Sequence, residues 1–468
     1  MFIHLLIAFI PPFIILATLF LLRKKIVHHL FTTVAKTLLT DHYEDNLFEM
    51  VPAARRSGLI TIMENQLRSQ YGTLLYRSMG TSKDWPNFEA ISFTPVQTTP
   101  FPIDHQEKVD LSRTIGPQAK IPLEINIPIM IGGMAYGLAL SKEAKVALAQ
   151  ASAIHKTAIN SGEGPVLKEE FEAAHKYILQ FSKTKWGKEE KWLSKADMIE
   201  IKLGQGAIAG MGSHIDADRI PEEVKKLLGL SQDEPAVIHE HFFKNQTLED
   251  LKALVQALRE TSGGVPIGVK LLASGQLEED LDRILEMSVD VIALEGAQGG
   301  THGSPPILQD DFGIPTLHAL VRANRHLQKR QVKDKISLII SGGLNVPGDF
   351  LKALALGADA IYIGTAMLYA INHTQFLHAL PWEPPSQTLW ITGTKRDSFD
   401  VEEGTKYGAH FLQACVEEMQ IALQAMGKKS LAELSADDLI TYDETIAKMA
   451  QITYSFATPK EDQSHSKT

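Results

Sequence analysis

An α/β fold closed as a (β/α)8 barrel, a TIM barrel, is what this sequence predicts, and three observations carry the prediction. From about Ile125 onward, apolar β-branched runs alternate with helical patterns at steps of a few tens of residues, as βα units do. The runs are nearly continuous in apolar character, which fits parallel strands covered on both faces. The last two units, in ISLIISGGLNVPGDFLKALALGADAIYIGTAML, stop their strands at Ser341-Gly342-Gly343 and at Gly364-Thr365. In such a barrel these two loops, with a helix N-terminus behind them, form the usual phosphate site. Glycines that only make tight βα turns are the alternative reading.

Taken in order, the chain opens on an apolar segment. Residues 2–22 carry no formal charge, are interrupted only by His4 and Pro11-Pro12, and are followed by Arg23-Lys24-Lys25. About 20 apolar residues span a hydrocarbon core of about 30 Å. A basic cluster after the run places the bulk of the chain in the cytoplasm. The expectation is a transmembrane anchor at 1–25, single-pass in the inner (cytoplasmic) membrane, with the catalytic domain facing the cytoplasm. A helix lying in the membrane interface is the alternative. Residues 26–95 read as a helical adaptor and an extended arm, the proline-rich stretch 84–122 wrapping the barrel. The barrel is expected over 96–375 and a C-terminal helical extension and tail over 376–468.

Eight runs are the candidate strands: 127–131, 157–160, 199–203, 236–239, 266–272, 289–294, 336–341 and 360–364. Helical patterns between them include 142–152, 247–261, 277–287, 316–327 and 348–356. With 468 residues, 44% of them hydrophobic, the chain has room for one barrel of about 250 residues plus extensions. Its one cysteine, Cys415, excludes a disulfide framework, a multi-cysteine zinc site and a cysteine-held iron–sulfur cluster within the chain. A net charge of −10 without a long basic run argues against nucleic acid as a partner.

Functional residues of a barrel follow its strands, and here those positions are polar and glycine-rich. They are Gly132-Gly133-Met134-Ala135, Asn160-Ser161-Gly162-Glu163-Gly164, Gln205-Gly206 and the run 295–304, EGAQGGTHGS. Lys270 interrupts an otherwise apolar strand. It either points inward, where developing negative charge would offset the cost of burying an ammonium, or snorkels at the strand end. Glu163 is the candidate for proton transfer, against the alternative of a solvated loop carboxylate. Two decoys are set aside. Gly204-Gln205-Gly206 lacks the dinucleotide spacing, and His239-Glu240-His241 offers two histidines without a third metal ligand, so no metal site is expected.

The runs PIMIGGMAYGLALSKEAKVALAQAS, NSGEGP, IEIKLGQGAIAGMG, VKLLASG, ALEGAQGGTHGSP, SGGL and GADAIYIGTAML, in that order, resemble the FMN-binding synthase domain of glutamate synthases. The resemblance covers roughly 88–370, and MGKKSLAELSADDL resembles the segment closing that domain. It implies a (β/α)8 barrel, FMN, and reductive amination of a 2-oxo acid, 2-oxoglutarate to glutamate in the family. Carried over by position, Gly133 and Met134 would back the flavin ring, Gln205 would hydrogen-bond it, and Lys270 would lie near its pyrimidine side. Gly342, Gly343, Gly364 and Thr365 would hold the phosphate, and Asn160, Gly299 and Gly300 also fall on the cofactor. Lys270 and Glu163 are the expected catalytic residues.

The departures are as specific as the matches. The three cysteines that hold a 3Fe–4S cluster in the family are absent from 370–400, and the apolar N-terminal segment stands where an amidotransferase domain would be. Glutamine hydrolysis is therefore not expected. After Gln205-Gly206 the family pattern has a lysine and a glutamate where this chain has Ile208 and Met211, which puts 2-oxoglutarate in question. The partners expected are a small 2-oxo or imino acid, the membrane, and a separate electron donor: a reductase, ferredoxin or quinol. An FMN barrel acting on another small acid or a prenyl substrate is one rival reading. A non-catalytic flavin-fold subunit that recruits partners to the membrane is the other.

Overall fold

The computed structural model describes residues 2–456, with the side chains of 2–17, Leu47 and Arg219 excepted. The chain divides between Leu75 and Tyr76 into two compact units.

The first unit is helical. Its long helix, Phe2–Thr40, runs without a break through Arg23-Lys24-Lys25. Among the described residues no helix is long and apolar enough to cross a membrane. This overturns the expected anchor at 1–25, and with it the inner-membrane localisation and the membrane as a partner. Only Thr18 to Leu22 precede the basic cluster among the described side chains, and His28, His29 and Lys36 follow on the same helix. The side chains of 2–17, on which most of that expectation falls, lie outside the described residues. Two further helices, Met50–Ser57 and Leu59–Tyr71, meet at Gly58, whose φ of +77° turns the chain between them.

The second unit is built around a closed barrel of eight parallel strands. They are β1 (Ile129–Ile131), β2 (Ala158–Asn160), β3 (Lys176–Phe181), β4 (Met198–Lys202), β5 (Ile267–Leu272), β6 (Val291–Glu295), β7 (Ser337–Ser341) and β8 (Ala360–Ile363). Each pairs with the next, and β8 closes on β1 with Ile361 opposite Ile129. Seven strands lie on expected runs. The run at 236–239 does not, because Ala236–Ile238 pairs antiparallel with Ser213–Ile215 in a separate ribbon. Its place in the barrel is taken by β3, KYILQF, buried at every position after Lys176.

Strand alternation sorts the barrel into two apolar layers. Ile129, Ile159, Ile199, Val269, Ile292, Ile340 and Ile361 face out under the helices. Met130, Ala158, Ile178, Met198, Val291, Ala293, Ile339 and Ala360 face in. The amino-terminal end is stoppered by the strand pair Arg113–Ile115 and Leu123–Ile125, whose Ile115, Leu123 and Ile125 join the inner cluster. Gly116 N donates to Ser337 Oγ at 3.0 Å, which fixes this stopper to the start of β7. The arm and tail meet on the outside: Ile91–Phe93 pairs with Leu439–Thr441, which pairs with Thr453–Tyr454. The 25-residue helix Val401–Ala425 packs on Lys142–Ile154 and Thr365–Asn372. Gly408 permits that approach, since a Cβ there would stand 2.9 Å from Ile371 and 3.0 Å from Ala151.

Candidate active site

At the carboxyl ends of the strands the inward positions change from apolar to polar. On β4 the alternation Met198, Glu200, Lys202 takes one inner face from the apolar layer to the mouth, while Ile199 and Ile201 pack outward. Neighbouring strands place Asn160, Gln180, Lys270, Glu295 and Tyr362 at the same level, all buried. Burying so many polar groups is costly unless they satisfy one another. Asn160 Nδ2 and Gln180 Nε2 donate to Glu200 Oε1 at 2.8 and 2.7 Å, and Gly162 N donates to Asn160 Oδ1 at 2.9 Å. Glu200 Oε2 is buried with no hydrogen-bond partner among the described residues.

Lys270 points inward, and its partner is Glu295, with Nζ 3.0 Å from Oε2. Burial pulls the ammonium pKa down, but Glu295 and then Glu200 outweigh it, so the pKa is raised and the lysine stays charged. Glu163 likewise has a partner, Lys202, with Oε2 and Nζ 2.7 Å apart. Both expected catalytic residues are therefore halves of ion pairs: Lys270 and Glu295 join neighbouring strands β5 and β6, and Glu163 joins the loop after β2 to β4.

The glycines expected on the cofactor divide into two kinds. Several are required by protein packing alone. A Cβ on Gly133 would stand 2.7 Å from Asn160 Oδ1, one on Gly299 would stand 2.3 Å from Glu295 Oε1, and one on Gly300 would stand 2.5 Å from Met79 O. Gly342 and Gly343 end β7 with φ of +107° and +71°, and a Cβ on Gly343 would stand 2.7 Å from Gln298 Cβ. Gly364 differs. A Cβ there would meet only Met134 Sδ, at 3.9 Å, and Gly364 caps the helix Thr365–Asn372. Open space at the first-turn N–H groups of a helix fits the phosphate of a flavin nucleotide. Gln205 N donates to Ala209 O at 2.9 Å, in a loop set against Gly299 through Gly206.

Besides Gln180, Glu200, Lys202 and Tyr362, the sequence reading missed Lys145, Lys183 and the pairing role of Glu295. Lys145, on Lys142–Ile154, is fully buried; its Nζ donates to Met134 O at 2.6 Å and Ser161 O at 3.1 Å and lies 2.7 Å from Glu170. One ammonium thus ties the loop after β1 to the loop after β2. Burial raises the Glu170 pKa to about 7 against the opposing pull of Lys145. Lys183, just after β3, donates to Leu203 O at 2.8 Å and Gly210 O at 3.1 Å. Its pKa is lowered by burial and then by Lys202. It was missed because β3 was missed. Glu295, just before the glycine run, was seen only as the start of a loop.

A family profile described as the conserved region in glutamate synthase matches residues 85–429. The archaeal-type glutamate synthase (NADPH) of Thermotoga neapolitana is 31% identical over 340 residues, 71% of this chain and 64% of that protein. A glutamate synthase large subunit-like protein of Rhizobium meliloti is 30% identical over 417 residues, 84% of this chain and 92% of that protein. The chain thus spans 64% of the length of the archaeal-type relative and nearly all of the Rhizobium one. Among solved structures, the recombinant flavin-binding domain of baker's yeast flavocytochrome b2 aligns with a TM-score of 0.52 at 18% identity, covering 85% of this chain and 86% of that one. That likeness speaks to the barrel alone. With the profile over most of its barrel unit and a relative matched almost end to end, the chain belongs to the glutamate synthase family.

Proposed function

We propose that this chain is an FMN-dependent oxidoreductase of the glutamate synthase type that acts on a C–N bond, the reductive amination of a 2-oxo acid. The observation that carries the reading is the buried polar mouth of the barrel, Asn160, Gln180, Glu200, Lys270 and Glu295, facing the open cradle at Gly364. The overall conversion joins a 2-oxo acid, ammonium, two electrons and two protons to give an amino acid and water. FMN supplies the two-electron chemistry when bound.

The chain's own residues do the rest. Gly364 and Thr365 with the amides behind them hold the phosphate, Gly342 and Gly343 shape the adjoining turn, and Gly133 and Met134 line the ring's place beside Asn160 and Gln205. Gly299 and Gly300 bring the loop after β6 over the same mouth. Lys270, kept charged by Glu295, sets a fixed positive charge at the inner wall without reorganisation. Glu163 accepts or returns a proton at its Oε2, where Lys202 holds the carboxylate in place. Electrons come from a separate donor protein.

Purified protein should carry stoichiometric FMN by its absorption spectrum. After anaerobic reduction, a 2-oxo acid with ammonium should reoxidise it while the oxo acid alone does not. Absence of bound flavin, or reoxidation that ignores ammonium, would overturn the reading.

A further inference from the structure

We infer that the pocket beside the mouth, lined by Glu163, Lys183, Lys202, Leu203, Ile208 and Met211, takes a small 2-oxo monocarboxylic acid with an apolar side chain, its carboxylate on Lys183 and its side chain on Ile208 and Met211. The inference rests on the reductive-amination reading and narrows its substrate. An ammonium has three donor hydrogens, and Lys183 spends two on the carbonyls of Leu203 and Gly210. The pocket's one lining carboxylate, Glu163, is already taken by Lys202 at 2.7 Å. Glu240 also acts on Lys183, but it lies exposed and outside the lining. Two cations therefore share one lining carboxylate, and a ligand carboxylate supplies the missing negative charge.

Another part of the lining has the opposite character: Leu203, Ile208 and Met211 belong to it, with Met211 53% exposed. Their loop is held in a strained shape, with Ala207 and Ala209 at φ of +66° and +54°. Gln205 N to Ala209 O at 2.9 Å and the Ser304 hydroxyl on Ala207 O pin it there. Such a wall stabilises apolar carbon by excluding water. A second carboxylate lying on it would be desolvated without a donor or a counter-charge. The site thus favours a monocarboxylate over a dicarboxylate.

Calorimetric titration of the flavin-loaded protein with 4-methyl-2-oxopentanoate and with 2-oxoglutarate tests this. Wild type should bind the monocarboxylate at least about ten-fold tighter, and Lys183→Met should weaken that binding by about ten-fold or more. Ile208→Lys, which leaves the Lys183 contacts in place, should move the preference toward 2-oxoglutarate. This second variant decides the matter if Lys183→Met fails to fold. Equal or tighter binding of 2-oxoglutarate by wild type, binding of neither acid, or a preference that Ile208→Lys leaves unmoved would overturn the inference. Flavin content measured on the same preparations separates the two levels. Bound FMN with the wrong acid preference sinks only the substrate class, whereas absent FMN sinks the proposed function itself.

Discussion

Lys270 shows why a single inward charge needs a partner before it can serve a ligand. Removing one member of a buried pair strands the other, which typically costs about 3–5 kcal/mol. Lys270→Met should therefore lower the urea midpoint markedly, because Glu295 would be left buried beside Glu200. Adding Glu295→Gln should recover part of the loss. A single mutant as stable as wild type would mean that Glu295 finds another cation. The glycine pair offers a sharper contrast. Gly364→Asp meets open space, so flavin fluorescence should show loss of FMN while the melting temperature holds. Gly343→Asp meets Gln298 at a positive φ and should lose both. Equal retention of flavin by both variants would remove the phosphate from this end of the barrel.

Between elements, the Lys145–Glu170 pair couples a helix to two loops, and its titration should be visible in stability. Glu170 goes from an ordinary value of 4.5 to about 7 in the fold, so the folded state holds this proton over a wider range. Its contribution is fully favourable below about 4.5, falls as pH rises toward 7, and is flat above that, a change on the order of 3 kcal/mol. Relative to wild type, Glu170→Gln should gain stability as pH rises from 5 to 7, read by urea unfolding at each pH; parallel curves would count against it. The same elements show what sequence can and cannot reveal. Strands that end in glycine, such as β7 and β8, were legible from their punctuation. β3 was not, because KYILQF runs into Ser182-Lys183-Thr184 without a glycine, while AVI at 236–238 imitates a strand of the barrel and belongs to a ribbon. Lys270, Glu163 and Asn160 could be named from their positions. Their partners could not, since Glu295, Lys202 and Glu200 come from other strands and are chosen only when the barrel closes.

At the scale of the whole molecule, the two units make independent predictions. The barrel, its stopper, the arm and the tail all belong to the second unit. A chain beginning at Tyr76 should fold, bind FMN stoichiometrically and unfold at an unchanged midpoint by flavin release. Loss of flavin from it would mean that residues before 76 help to build the site. The stopper of Ile115, Leu123 and Ile125 has a further consequence for traffic. A chamber with a sealed floor has a single doorway, so reactants, product and water all cross the same rim. On the proposed reaction, turnover becomes a queue: an amino acid still inside would keep the next oxo acid out, and product inhibition should be competitive with the acid in steady-state assays.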